Sequence, residues 1–169
     1  MKRFILIFSF CFVCAFVAVA QPVGYTHKAF APDGCIVNYL VVFDDTKFFI
    51  DVTFESDLSK FTEKPTMMIR TFADDVFKLS GTVMSCDVLT SEVERDGVKK
   101  TISAFSSVVR FNIDSSQLET FKNGIAKIRL STTPYEHEKE FKKDKIGKHL
   151  YECYLKEKNK DANFKAKAF

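Results

Sequence analysis

His149 and Cys153 stand four residues apart in a stretch that reads as helix. That spacing puts them at neighbouring positions of one face, where an imidazole could take a proton from a thiol, or the two could supply half a metal site. A metal needs three or four ligands, and no further histidine-rich element completes the set. Cys153 also falls with Ile146 and Leu150 on the apolar side, where a nucleophile is shielded, so the expected state is a core cysteine beside a partly exposed histidine. In Glu136-His137-Glu138, alternation sends both carboxylates to the face opposite the imidazole. The three do not converge, and a solvated polar segment is expected there, as for His27 beside Lys28.

The acidic pairs Asp44-Asp45 and Asp74-Asp75 point apart from turns, whereas glycoside hydrolysis needs two acids facing across a cleft. A calcium-loop pattern, a phosphate loop, G-x-S-x-G and H-E-x-x-H are all missing from the chain. No catalytic residue, metal ligand set or cofactor is assigned on this basis. An enzyme built on this chain, for which a small hydrolase is the alternative to a binding protein, would need a site assembled from distant residues.

Residues 1–20 combine Lys2 and Arg3, an apolar phenylalanine-rich run from Phe4 to Val17, and Ala18-Val19-Ala20 before Gln21. That is the pattern of a cleaved export signal, and the apolar run is shorter than the roughly 20 residues of a membrane-spanning helix. The pair Cys11 and Cys14 lies inside this signal, and no small residue precedes Cys14 as a lipid-attachment site would require. The mature chain is then expected to begin at Gln21 in the periplasm or outside the cell, without a membrane span. Its thiols are Cys35, Cys86 and Cys153, which in an oxidising compartment could form one disulfide in any of three pairings.

Strands must position these groups over most of the chain. Period-two alternation runs from about Tyr25 to Thr133, most clearly in Phe48, Ile50, Val52 and Phe54 against Lys47, Asp51, Thr53 and Glu55. Cys35 to Phe43 is apolar on both faces except at Asn38 and reads as a central strand covered on both sides. Turns are expected at Asp44-Asp45-Thr46, Asp74-Asp75 and Asp96-Gly97, the last joining two long strands, Gly81–Arg95 and Val98–Ile113. A change of apolar phase between Ile102 or Ala104 and Val109 suggests a bulge at Ser106-Ser107. Asp114 opens a short helix that Asn123-Gly124 ends, and Ala126, Ile128 and Leu130 mark another strand. Asp144 caps a C-terminal helix with Ile146, Leu150, Cys153, Tyr154 and Glu157 on one side. Gly147 in its first turn costs about 1 kcal/mol against alanine.

The expected fold is mainly β, an antiparallel sandwich or strongly curved sheet of seven or eight strands with a C-terminal amphipathic helix. Residues 21–160 form one domain, and 161–169 form a flexible tail. Fourteen of the 19 phenylalanines follow Gln21, and there is no tryptophan. Residues 139–169 hold ten lysines and five acidic residues, while 21–138 hold 13 basic and 17 acidic residues. A basic C-terminal region on a mildly acidic body could touch anionic surfaces weakly, but gives no case for nucleic acid. The run Phe141-Lys142-Lys143-Asp144-Lys145-Ile146-Gly147-Lys148-His149-Leu150-Tyr151 resembles the C-terminal end of small exported Bacteroidota proteins of uncharacterised function. The resemblance implies a Gram-negative envelope or secreted setting and no activity. The functional expectation is a non-enzymatic binding or interaction module that engages an envelope protein or a small apolar ligand.

Overall fold

The structure, a computed structural model, describes residues 21–28, 34–44, 46–95 and 98–167. Residues 1–20, on which the expected export signal with Cys11 and Cys14 falls, Asp45, the expected Asp96-Gly97 turn and Phe169 lie outside the described residues. The strands are β1 (Val23–His27), β2 (Cys35–Asp44), β3 (Lys47–Ser56), β4 (Lys60–Phe61), β5 (Thr66–Thr71), β6 (Val76–Arg95), β7 (Val98–Ile113), β8 (Ile125–Leu130), β9 (Thr132–Thr133) and β10 (His137–Glu140). Helix α1 (Ser115–Thr120) runs into a 3-10 turn at Phe121–Asn123, and α2 (Gly147–Lys167) ends the chain. Eight strands form one antiparallel sheet in the order β1-β2-β3-β7-β6-β5-β8-β10, with β4 and β9 paired separately.

The sheet curls into a half-barrel, because alternate residues of its strands are apolar and converge on one concave core. Val37, Tyr39 and Val41 of β2, Ile50, Val52 and Phe54 of β3, and Val109, Phe111 and Ile113 of β7 are all buried there. Helix α2 enters the same side through Leu150, Cys153 and Tyr154, just after buried Ile146, with the Tyr154 ring edge-on to Phe48 at 4.9 Å. Helical geometry in α2 continues to Lys167, beyond the Lys160 boundary drawn from composition.

The helix start is built as the sequence suggests. Asp144 Oδ1 accepts from the Gly147 amide at 2.8 Å and Oδ2 from the Lys148 amide at 2.8 Å. Oδ1 also accepts from the Ile125 amide at 3.0 Å, so one carboxylate ties the helix to the first residue of β8. Gly147 is needed because the helix end sits directly on that strand: a methyl group there would lie 2.6 Å from the Ile125 nitrogen. Gly124, at φ 77°, supplies the left-handed turn that the chain needs before β8.

Two strand expectations are corrected. First, β2 is second from the edge and covered only on its concave side. Leu40 and Val42 stay half-buried on the convex face, Ile36 is exposed, and no second layer of described residues covers them. Second, β7 pairs regularly through Ser106 and Ser107, and the irregularity sits opposite, on β6 between Val83 and Ser85. The apolar phase of β7 changes for another reason. Its pairing with β3 stops at Phe105, so Ala104 and the residues before it have left the barrel.

The part that leaves is a projecting ribbon. β6 pairs with β5 only over Val76–Ser80, whereas β6 and β7 stay paired out to Arg95 and Val98. From Leu89–Ala104 outward, seven residue pairs continue as two strands, and among the described residues neither outer edge has a neighbour. At about 3.4 Å per residue the ribbon reaches roughly 20 Å beyond the sheet.

Candidate functional site

The half-barrel brings its two edge strands, β1 and β10, face to face. They share no backbone ladder, and side chains close the seam instead. His137 is at its centre, with its ring stacked on Tyr25 at 5.9 Å, edge-on to His27 at 5.1 Å and edge-on to Phe54 at 5.7 Å. His137 Nε2 is 3.0 Å from Tyr25 Oη, and Nδ1 is 3.5 Å from Cys35 Sγ. Tyr25 Oη is in turn 3.2 Å from Tyr39 Oη. Burial raises the pKa of both phenols well above the ordinary tyrosine value, so they act as neutral hydroxyls at physiological pH.

Cys35 and His137 are 5% and 7% exposed, yet each borders a surface depression. One of about 220 Å³ has Cys35 in its wall with Thr26, Gly34, Ser56 and Asp57. The other, of about 200 Å³, is lined by His137, His27, Ser59, Thr132 and Tyr135. The chemistry available here is that of a thiol and an imidazole within hydrogen-bond reach, with a hydroxyl holding the far side of the ring.

The expected solvated state of His137 is thus overturned, and His27 is half-buried against it rather than free in solvent. The alternation argument for the flanking acids does hold. Glu138 faces outward to Arg129 at 2.6 Å and to Lys127 at 2.6 Å, and Glu136 is 3.7 Å from Arg129. His149 and Cys153 are not brought together as a working pair. His149 Nε2 turns to the Gln21 carbonyl oxygen at 3.1 Å, and Cys153 is buried in the core, which pushes its thiol pKa up. No disulfide joins Cys35 on β2, exposed Cys86 on β6 and buried Cys153 on α2 to one another. Asp74 and Asp75 serve their turn, where Asp75 accepts from the Thr71 hydroxyl at 3.1 Å.

The pairing of Cys35 with His137 spans 102 residues, and no local pattern announces it. The one usable signal is register: Cys35 begins the alternation that continues in Val37, Tyr39 and Val41, which places its thiol on the core face. Among the described residues, no group of three or more His, Cys, Asp or Glu side chains is placed to hold a metal ion. No described helix is long and apolar enough to cross a membrane.

A second feature is the surface of the ribbon. Met84 and Val88 are 55% and 61% exposed and Leu89 is half exposed, beside exposed Glu92, Glu94 and Lys99. The convex face next to it presents Phe49 under the Arg110 guanidinium at 5.1 Å, and Arg110 forks onto both Asp51 oxygens at 2.8 and 2.9 Å. A groove of about 550 Å³ is lined mainly by polar groups including Lys47, Lys78, Asn112, Asp114 and Gln117. No protein-family model, curated protein or solved structure matches this chain.

Proposed function

We propose that the chain is an exported, non-enzymatic interaction module that engages an envelope protein by strand addition along the β6–β7 ribbon. The observation that carries this reading is a two-stranded ribbon whose two outer edges have no neighbour among the described residues, with Met84, Val88 and Leu89 exposed at its base. Unpaired strand edges are templates for another chain, and folded proteins normally shorten, cover or bulge them. Here the edge is long, and Glu92, Glu94 and Lys99 supply charges that oppose indiscriminate pairing. Export is supported by the residue pattern over 1–20, and a Bacteroidota envelope setting by residues 141–151.

A small apolar ligand has less support, because the concave side is filled with aromatic side chains and α2, and the groove of about 550 Å³ is lined mainly by polar groups. The exposed Lys156, Lys158 and Lys160 of α2 favour weak contact with anionic surfaces as an accessory to partner binding.

Photo-crosslinking tests the reading. A benzophenone side chain at position 89 is expected to yield a discrete covalent complex in the envelope of cells making the protein. The same group at exposed Lys122, and position 89 combined with Val88→Asp, should not. Equal products from positions 89 and 122, or none from 89, would overturn it.

A further inference from the structure

Building on the reading of strand addition at the ribbon, we propose that the partner joins the outer edge of β6 rather than that of β7, as a basic extended segment of another protein. The two edges are unequal. β5 covers β6 as far as Ser80, and Gly81 donates its amide to the Pro65 carbonyl oxygen at 2.9 Å. From Thr82 to Arg95 the β6 edge has no neighbour among the described residues, whereas β3 stays on β7 as far as Phe105 and leaves only Val98–Ala104, half that length. The base of the β6 edge opens on a groove of about 380 Å³ between Glu63, Lys64 and Pro65 on one side and Gly81, Thr82 and Val83 on the other. The base of the β7 edge is occupied instead: Ala104 shares a depression with Ser56 and Asp57, and the Lys60 amine lies 5.7 Å from the Phe105 ring centroid. From Ser85 outward β6 pairs regularly with β7 to Arg95, so the edge offers an unbroken ladder longer than the usual strand of about 5–6 residues. Val88 and Leu89 are 61% and 50% exposed and, as successive strand residues, point to opposite faces, so an added strand would cover apolar surface on both.

Charge selects the occupant. Thr82–Glu94 contains Asp87, Glu92 and Glu94, all exposed, and neither lysine nor arginine, while Val98–Ala104 contains lysines and no acid. Within the ribbon Glu94 stands opposite Lys99, but Glu92 and Asp87 stand opposite the uncharged Thr101 and Ser106. The incoming strand supplies the missing cations from the other side, because opposite charges directly across a strand pair attract and like charges repel. A second copy fits less well. Pairing β6 with β6 sets three carboxylates against three, and pairing β6 with β7 of another copy uses the shorter edge in a head-to-tail contact that propagates instead of closing on a pair.

The probes are two capped, fluorescent peptides, Lys-Val-Lys-Thr-Thr-Ile-Val-Lys and Glu-Val-Glu-Thr-Thr-Ile-Val-Glu, titrated into the chain from Gln21 onward and read by anisotropy. Running antiparallel to β6, the first sets its lysines against Glu94, Glu92 and Asp87. It is expected to bind at least about tenfold more tightly than the second, with the preference shrinking at about 1 M salt. A benzophenone in place of the peptide's isoleucine should cross-link to β6 around Leu89 and not to Val98–Ala104. Glu92→Lys combined with Glu94→Lys should reverse the preference; if that variant loses the native circular dichroism, the cross-linked strand in the parent decides. Equal or reversed affinities in the parent, or cross-links on β7, would overturn the choice of edge and partner while strand addition stands. Binding of neither peptide at millimolar concentration would overturn it as well, and the envelope cross-link from position 89 then shows whether strand addition falls with it. A dimer of the chain in sedimentation that the lysine peptide leaves intact would make a second copy the occupant and also overturn the proposal.

Discussion

Replacing Gly147 by alanine should destabilise the protein, although helix propensity alone says the opposite. Alanine in a helix interior is favoured over glycine by about 1 kcal/mol. Against that gain, the new methyl would sit 2.6 Å from the Ile125 nitrogen and 2.9 Å from two Gly124 backbone atoms, none of which can rotate away. Relieving such overpacking costs about 1–3 kcal/mol. The helix must move off β8, and that movement loosens the Asp144 carboxylate, which bonds the Gly147, Lys148 and Ile125 amides together. Losing a helix cap costs about 1 kcal/mol more. The balance is a net loss of about 2 kcal/mol, or about 4–8 °C in Tm for a chain of this size. Thermal and urea unfolding of the chain from Gln21 measure it. Asp144→Ala should cost more, about 2–4 kcal/mol, since it also strands the Ile125 amide. The double variant should fall short of the sum, because both changes break one clamp. A Gly147→Ala protein as stable as the parent, or more stable, would refute the claim that α2 is seated on the backbone of residues 124 and 125.

The acid dependence of the same clamp has a definite sign. Burial pushes the Asp144 carboxyl upward, but the amides of Ile125, Lys148, Gly147 and Ile146 outweigh it and hold the pKa below the ordinary aspartate value. Its contribution is therefore complete above the unfolded value of about 4 and is lost as pH falls through the lowered folded value. The stability gap between parent and Asp144→Asn, followed by urea midpoints from pH 7 downward, should close on acidification. Tyr25→Phe removes the hydroxyl shared by Tyr39 and His137 and should cost about 1–3 kcal/mol in denaturant unfolding while the fold persists. Arg110→Met breaks the fork to Asp51 and should cost about 1 kcal/mol or less, with the loss shrinking in high salt. Joining Leu89 to Ala104 through Asn-Gly removes the outer ribbon and should change stability by less than about 1 kcal/mol, because none of the described core residues lies in that stretch.

Local chemistry was the legible part of this chain. Period-two alternation marked the strands, Asp144 marked the start of α2, and Asn123-Gly124 marked the end of the first helical segment, because each depends on neighbours within a few residues. What alternation could not carry was the identity of whatever covers each face. Leu40 and Val42 read as buried because they are apolar, yet they lie on a convex face that no described layer covers. Similarly, Ile102 and Ala104 looked like a shift of phase because strand length was judged without knowing where β3 stops. His137 was misplaced for the same reason in reverse. Its two acidic neighbours are solvated, as their charge requires, but the face between them is decided by β1, more than 100 residues earlier.

The two edges of the main sheet meet opposite fates from those of the ribbon, and the contrast separates two kinds of surface. β1 and β10 are joined by Tyr25, His137, His27 and Cys35 rather than by ladder hydrogen bonds. A seam held by a few side chains can open locally at less cost than a strand pair. The ribbon edges need no opening, since backbone donors and acceptors are already presented. Its first fully two-stranded pair, Leu89 and Ala104, lies beyond the last β7 residue paired with β3. A partner that adds a strand there leaves the seam uncovered. The stability cost of Tyr25→Phe in urea unfolding should accordingly be the same in the parent and in the variant lacking the outer ribbon. A changed cost would mean that the ribbon and the seam form one unit, and the separation argued from strand pairing would fail.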